Sequence, residues 1–268
     1  MPAEARWSSA HPWVGPHHRL VGIGGGVHAV AHRGADRVPL WESCAEIIGE
    51  RSVGDLYDFM VGEIAQGIGE SGVKAGVIGE IGTSTVLHDQ ERRVLEAAGA
   101  LQRDLGVPIA VHVDQVGSEA DHNLDIVAAV GADLTRVLLG HMDQRHGVDV
   151  GWLQHLADRG ALLGFDTFGT TFAYDALGAV DPTDDARLEV LAQLVERGYA
   201  ASRVLSHDVG MRNMLRGKGG GGYAHLPLDL GVALQRAGIT RRAPRDDVRR
   251  IASPVASGDL SQREPSHV

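Results

Sequence analysis

The chain has 268 residues, 43% of them hydrophobic, with a formal net charge of −10 and a pI near 5.7, which excludes a nucleic-acid footprint and allows a substantial core. Its single cysteine, Cys44, excludes an intrachain disulfide and fits a reducing compartment. No run of about 18 apolar residues and no signal-peptide core occurs, so a cytoplasmic protein with no membrane partner is expected.

Strand-like apolar runs recur in chain order: GVHAVAH (26–32), AGVIGEIG (75–82), VPIAVHV (107–113), TRVLLGH (135–141), ALLGFDTF (161–168) and SRVLSHD (202–208). Helix-like segments separate them. DQERRVLEAAGALQRDLG (89–106) places Val94, Leu95, Ala98, Leu101 and Leu105 on one face, opens on acidic residues and closes on Gly106 as a C-cap. DDARLEVLAQLVERG (184–198) repeats the pattern, and 52–68, 121–131 and 149–160 are shorter helices. This alternation predicts an α/β fold with a parallel sheet, and the nearly all-apolar strands predict burial on both faces. No composition break divides residues 1–268, which read as a single domain with an irregular segment at 1–18 and a Ser/Pro/Gly-rich flexible tail at 250–268. Two architectures stay open at this point, a doubly wound sheet and a (β/α)8 barrel, of which the six strands counted would be an incomplete set.

Fourteen histidines against four each of Phe, Tyr and Trp direct attention to metal ligation. Four strands end in a potential ligand: Glu80, His112, His141 and Asp208. At the C-terminal mouth of a barrel these side chains converge, and two imidazoles with carboxylates suit Zn²⁺, Mn²⁺ or Fe²⁺.

The segments GVIGEIGTS (76–84), PIAVHVDQ (108–115), RVLLGHMDQ (136–144), RVLSHDVGMR (203–212) and GGGGYAHL (219–226) resemble, in order and spacing, the phosphotriesterase-related branch of the amidohydrolase superfamily. The similarity spans about residues 15 to 240. It implies a (β/α)8 barrel of TIM type holding two divalent metals, Zn²⁺ first and Mn²⁺, Fe²⁺ or Co²⁺ as alternatives. On that pattern His112 and His141 hold one metal, Asp208 binds the other and handles the proton, and Glu80 bridges both. The implied reaction is attack of a metal-activated hydroxide on a small-molecule lactone, carboxylic ester or organophosphate. The loops that set specificity in the family correspond to about 167–175, with Phe168, Phe172 and Tyr174 as an apolar wall, and 210–225, where Gly219–Gly222 would be mobile. A homo-oligomer, a dimer, is the expected assembly.

The family's first strand carries His-x-His, and no such motif occurs in this sequence. The first one or two strands are therefore expected to be missing. A chain without them would expose two sheet edges, and its rival reading is an impaired barrel serving as a scaffold or partner subunit. His28 and His32, on one face of a strand, or His11, His17 and His18 would have to replace the lost ligands. GIGGG (22–26) precedes a strand instead of opening a helix, and Lys218 is not followed by Ser or Thr, so neither glycine run is a nucleotide loop.

Overall fold

Five apolar runs become short parallel strands because each is enclosed by helices that supply the second buried layer. The computed structural model describes residues 48–67, 74–114, 119–144, 149–171, 173–174 and 179–239. His11, His17, His18, His28 and His32, the strand expected at 26–32, Cys44, Phe172 and the tail expected at 250–268 lie outside these residues.

The elements run α1 (Val53–Ala65), β1 (Ile78–Gly82), α2 (Asp89–Leu105), β2 (Ile109–His112), α3 (Ala120–Ala129), β3 (Val137–Gly140), α4 (Val150–Asp158) and β4 (Leu162–Phe165). A two-residue hairpin, β5 (Ala173–Tyr174) with β6 (Ala179–Val180), precedes α5 (Asp184–Glu196), β7 (Arg203–Leu205) and α6 (Gly231–Arg236). Every described strand and helix core predicted from the sequence is present, shortened at its ends. Gly106 caps α2 in the left-handed region at φ 69°, its amide donating to the Gln102 carbonyl at 2.7 Å.

The main sheet has the order β1-β2-β3-β4-β7, all parallel. That order follows the chain without reversal, whereas a doubly wound sheet turns back at a switch point. The described residues thus carry five adjacent strands of a (β/α)8 barrel. Ile78, Ile109, Val111, Val137, Leu139, Leu163 and Phe165 from the strands meet Leu95, Leu101, Leu124, Leu153 and Leu191 from the helices, all fully buried. Each such side chain contributes roughly 1.5–3 kcal/mol relative to exposure. Among the described residues no helix is long and apolar enough to cross a membrane.

Register sets the level of the strand ends. Gly82 lies opposite His112, and His112 opposite Gly140, so the residues leaving β1, β2 and β3 stand at one height. The β1–β2 register slips between Ile78 and Ile81, the stretch that carries Glu80. Gly79 makes this possible: its φ is +139°, and a Cβ there would stand 2.3 Å from the Ala110 carbonyl oxygen.

Two loop expectations are revised. The stretch 167–175 is not a plain loop, because Ala173–Tyr174 within it pairs with Ala179–Val180 as the β5–β6 hairpin. Phe168 is no wall of an open mouth; it is 1% exposed, packed in the core with the Arg187 guanidinium 6.0 Å from its ring centroid. Gly219–Gly222 forms a tight hydrogen-bonded turn, with the Gly220 amide on the Leu215 carbonyl and the Gly222 amide on the Met214 carbonyl. A Cβ on Gly220 would meet that Met214 oxygen at 2.2 Å, so this glycine serves close packing.

Candidate metal centre

Glu80 leaves the slipped section of β1, His112 ends β2 and His141 follows β3, and each offers one ligand atom to a cluster whose atoms all lie within 4.8 Å of one another. The His141 Nε2 and His112 Nδ1 atoms are 2.7 Å apart, and Glu80 Oε1 stands 3.6 Å from the first and 3.7 Å from the second. The rings cross edge to face at 76°. Both histidines are buried, while the Glu80 side chain keeps 23% of its surface exposed and marks the open side. Two nitrogens and one oxygen, with an open direction, are a donor set suited to a divalent metal ion.

Three groups hold these ligands. Asp166, the first residue after β4, accepts from the His141 amide at 2.9 Å and lies 3.0 Å from its Nδ1, which leaves Nε2 turned towards the cluster. Burial disfavours a charged His141 ring, but the Asp166 carboxylate, aided by Glu80 and Asp208, outweighs it and pushes its pKa up to about 10. On the other side, Thr83 donates both its amide and its hydroxyl to the His112 carbonyl at 3.0 Å, and Asn123 Nδ2 donates to the Thr83 hydroxyl at 3.0 Å. Thr83 and Asn123 are buried, so this chain fixes the end of β2 against the loop that follows Glu80.

Asp208 stands three residues beyond β7 with φ +42°. It is outside the three-atom cluster yet near enough to pull on the His141 charge. Of the four residues expected at strand ends, Glu80, His112 and His141 come together and Asp208 does not join them; Asp166 was not among the four, although GFDTF obeys the same strand-end rule. Asp166→Asn is expected to keep the fold and weaken zinc binding about 10–100-fold, measured by competition with a chromophoric chelator. Unchanged affinity would remove Asp166 from the site.

A second polar layer lies behind the first. Asp143, two residues past His141, is 1% exposed, and burial with the Asp166 charge pushes its carboxyl up to about 7 against the pull of Arg187. Arg187 of α5, also 1% exposed, reaches Asp143 Oδ2 at 3.4 Å, Asp184 at 3.0 Å, the Thr167 hydroxyl at 2.9 Å and the Thr170 carbonyl at 2.8 Å. These residues tie the loops after β3 and β4 to the start of α5.

Fold and site together define a (β/α) barrel with a ligand triad suited to a metal ion at the C-terminal ends of adjacent strands. Residues 24–248 match the Phosphotriesterase family, and the chain belongs to it. It is 34% identical over 221 residues to the N-acetyltaurine hydrolase of Tetraodon nigroviridis, covering 81% of this chain and 62% of that protein. It is 33% identical over 202 residues to the phosphotriesterase-related protein of Nematostella vectensis, covering 75% and 57%. Among solved structures, a phosphotriesterase homology protein from Escherichia coli, complexed with phosphate in its active site, superposes with a TM-score of 0.64 at 32% identity over 77% of this chain and 66% of that one. A resiniferatoxin-binding protein from Rhodobacter sphaeroides gives 0.71 at 32% identity over 78% and 57%. The chain thus spans about three fifths of the length of these relatives.

Proposed function

We propose that the chain is a metal-dependent hydrolase of small acyl compounds, with Glu80, His112 and His141 holding a divalent ion, Zn²⁺ by preference. The observation that carries this reading is the meeting of His112 Nδ1, His141 Nε2 and Glu80 Oε1 at one level of the strand ends. Such an ion, when bound, supplies Lewis-acid polarisation of a carbonyl or phosphoryl oxygen and acidifies water. Asp166 holds the His141 ring in the orientation that presents Nε2, and Thr83 holds the His112 backbone. The Asp208 carboxylate takes up the proton of the attacking water and returns it to the leaving group.

The bond cleaved is an ester, a lactone or an N-acyl amide; a phosphoester is the outlying member of the set. The amide enters because relatives at 31–36% identity bear the name N-acetyltaurine hydrolase. One panel tests the reading: N-acetyltaurine, a γ-lactone, an aryl carboxylic ester and an aryl phosphotriester, each with zinc-loaded and chelator-treated protein. Hydrolysis of one class, abolished by chelation and restored by Zn²⁺, is the expected result. Fully loaded protein that turns over none of the four would overturn it.

A further inference from the structure

His225 lies outside the three-residue cluster, at the start of a short π-helical segment, His225–Asp229. Its Nε2 is 2.6 Å from Asp184 Oδ2 and its Nδ1 is 3.0 Å from Asp229 Oδ2. Two carboxylates on two ring nitrogens require both nitrogens to donate. The ring sits in a cradle of two glycines from different loops. A Cβ on Gly169 would meet its Cδ2 at 2.9 Å, and a Cβ on Gly221 would meet its Cγ at 2.9 Å. Gly169 follows β4, and its amide donates to Asp184 Oδ1 at 3.0 Å. Gly221 belongs to the glycine turn after β7.

The next residue extends the link. The Leu226 amide donates to His207 Nε2 at 3.0 Å, so that nitrogen is a lone-pair acceptor and the His207 proton resides on Nδ1. His207 directly precedes Asp208, and its ring centroid is 6.5 Å from that of His225.

We propose that His225 is a positioning residue, a clasp that joins the connection after β4 to the glycine turn after β7 and, through the Leu226 amide, sets the orientation of His207 beside Asp208. The two walls of the mouth then shift as one unit, and the acyl groups that fit depend on both together. This deepens the proposed hydrolase and rests on that reading for its consequence on substrate, whereas the coupling itself does not.

The charges around the ring agree. Burial opposes a charged His225, but Asp184 and Asp229 raise its pKa; Arg187 stands behind Asp184, Arg216 behind Asp229, and His207 faces it. Both carboxyls are lowered, Asp184 against its burial by the Gly169 amide and His225, Asp229 by Arg216 and His225. The clasp therefore contributes fully above the ordinary carboxyl pKa of about 4 and below that of histidine, about 6.5. It weakens as pH rises through the raised His225 value, or falls through the lowered carboxyl values.

Amide hydrogen exchange on the full chain, wild type against His225→Gln and Gly221→Ala, tests the clasp. The Gly169 and Leu226 amides should lose protection together, about 10–100-fold, in both variants, while Ile109–Val111 in β2 stays protected. The ¹⁵N shift of His207 Nε2 should mark an unprotonated nitrogen in the wild type and move towards tautomer averaging in His225→Gln. Loss confined to residues 225–229, or an unchanged His207 signal, would overturn the proposal. Turnover separates it from the function above. A clasp variant of an active hydrolase should raise KM for bulkier acyl groups at unchanged metal content. Absence of hydrolysis in wild type would remove the hydrolase and leave the exchange result to judge the clasp.

Discussion

His112→Ala and His141→Ala are each expected to leave a protein that no longer retains divalent metal. A structural four-ligand zinc site is worth roughly 10–16 kcal/mol, or about 2.5–4 kcal/mol per ligand when shared evenly. Removing one ligand then weakens binding by about two to three orders of magnitude, at 1.4 kcal/mol per tenfold. Both nitrogens belong to one cluster, 2.7 Å apart, so neither ring can substitute for the other. Metal content per chain by plasma mass spectrometry, after dialysis against Zn²⁺ and gel filtration, measures the effect. His155→Ala is the control, since that side chain is 58% exposed on α4 and pairs with Asp121. Wild-type metal in both cluster variants would show that the site lies elsewhere. Loss in one alone would break the cluster into separate histidines.

Arg187→Met should be the most destabilising single change outside the apolar core. The guanidinium is fully buried and makes contacts to Asp143, Asp184, Thr167 and Thr170. Methionine fills a similar volume but leaves the Asp143 side chain, itself fully buried, without its cation. Breaking a buried pair from one side costs about 3–5 kcal/mol. For a domain of this size that lowers Tm by roughly 6–20 °C, read by calorimetry. Asp143→Asn should cost much less, because it removes the charge that burial and Asp166 already disfavour. If Arg187→Met unfolded within about 1 kcal/mol of wild type, the network would be packing without electrostatic consequence.

The local part of this protein was legible in its residues. Apolar runs of seven or eight residues between amphipathic segments mark strands and helices because burial on two faces, or on one helical face, demands those patterns. Gly106 and the acidic start of α2 mark helix ends for equally local reasons. The triad was legible for a topological reason: in a parallel barrel every strand leaves at the same face, so a ligand type at the last position of several strands implies a meeting point. His112 ends β2, and His141 and Asp166 directly follow β3 and β4, as that rule requires; Glu80 stands two residues before the end of β1, in the section where the register slips.

What the sequence could not supply are contacts made between loops. Arg187 touches Asp143, 44 residues away, and His225 touches Asp184, 41 residues away. No period or spacing encodes such pairs; they depend on how far each connection reaches once the barrel exists. The same holds for Gly79, whose need for glycine comes from the Ala110 carbonyl on the neighbouring strand. It holds for Phe168, an apparent mouth residue that the Arg187 layer draws into the core. Sequence alone determined the elements and the residues at their ends, because these answer to local periodicity and strand direction. Only the tertiary structure decided the strand order, the Asp166 and Thr83 supports and the His225 clasp, because each depends on side chains that meet in space after distant segments have packed.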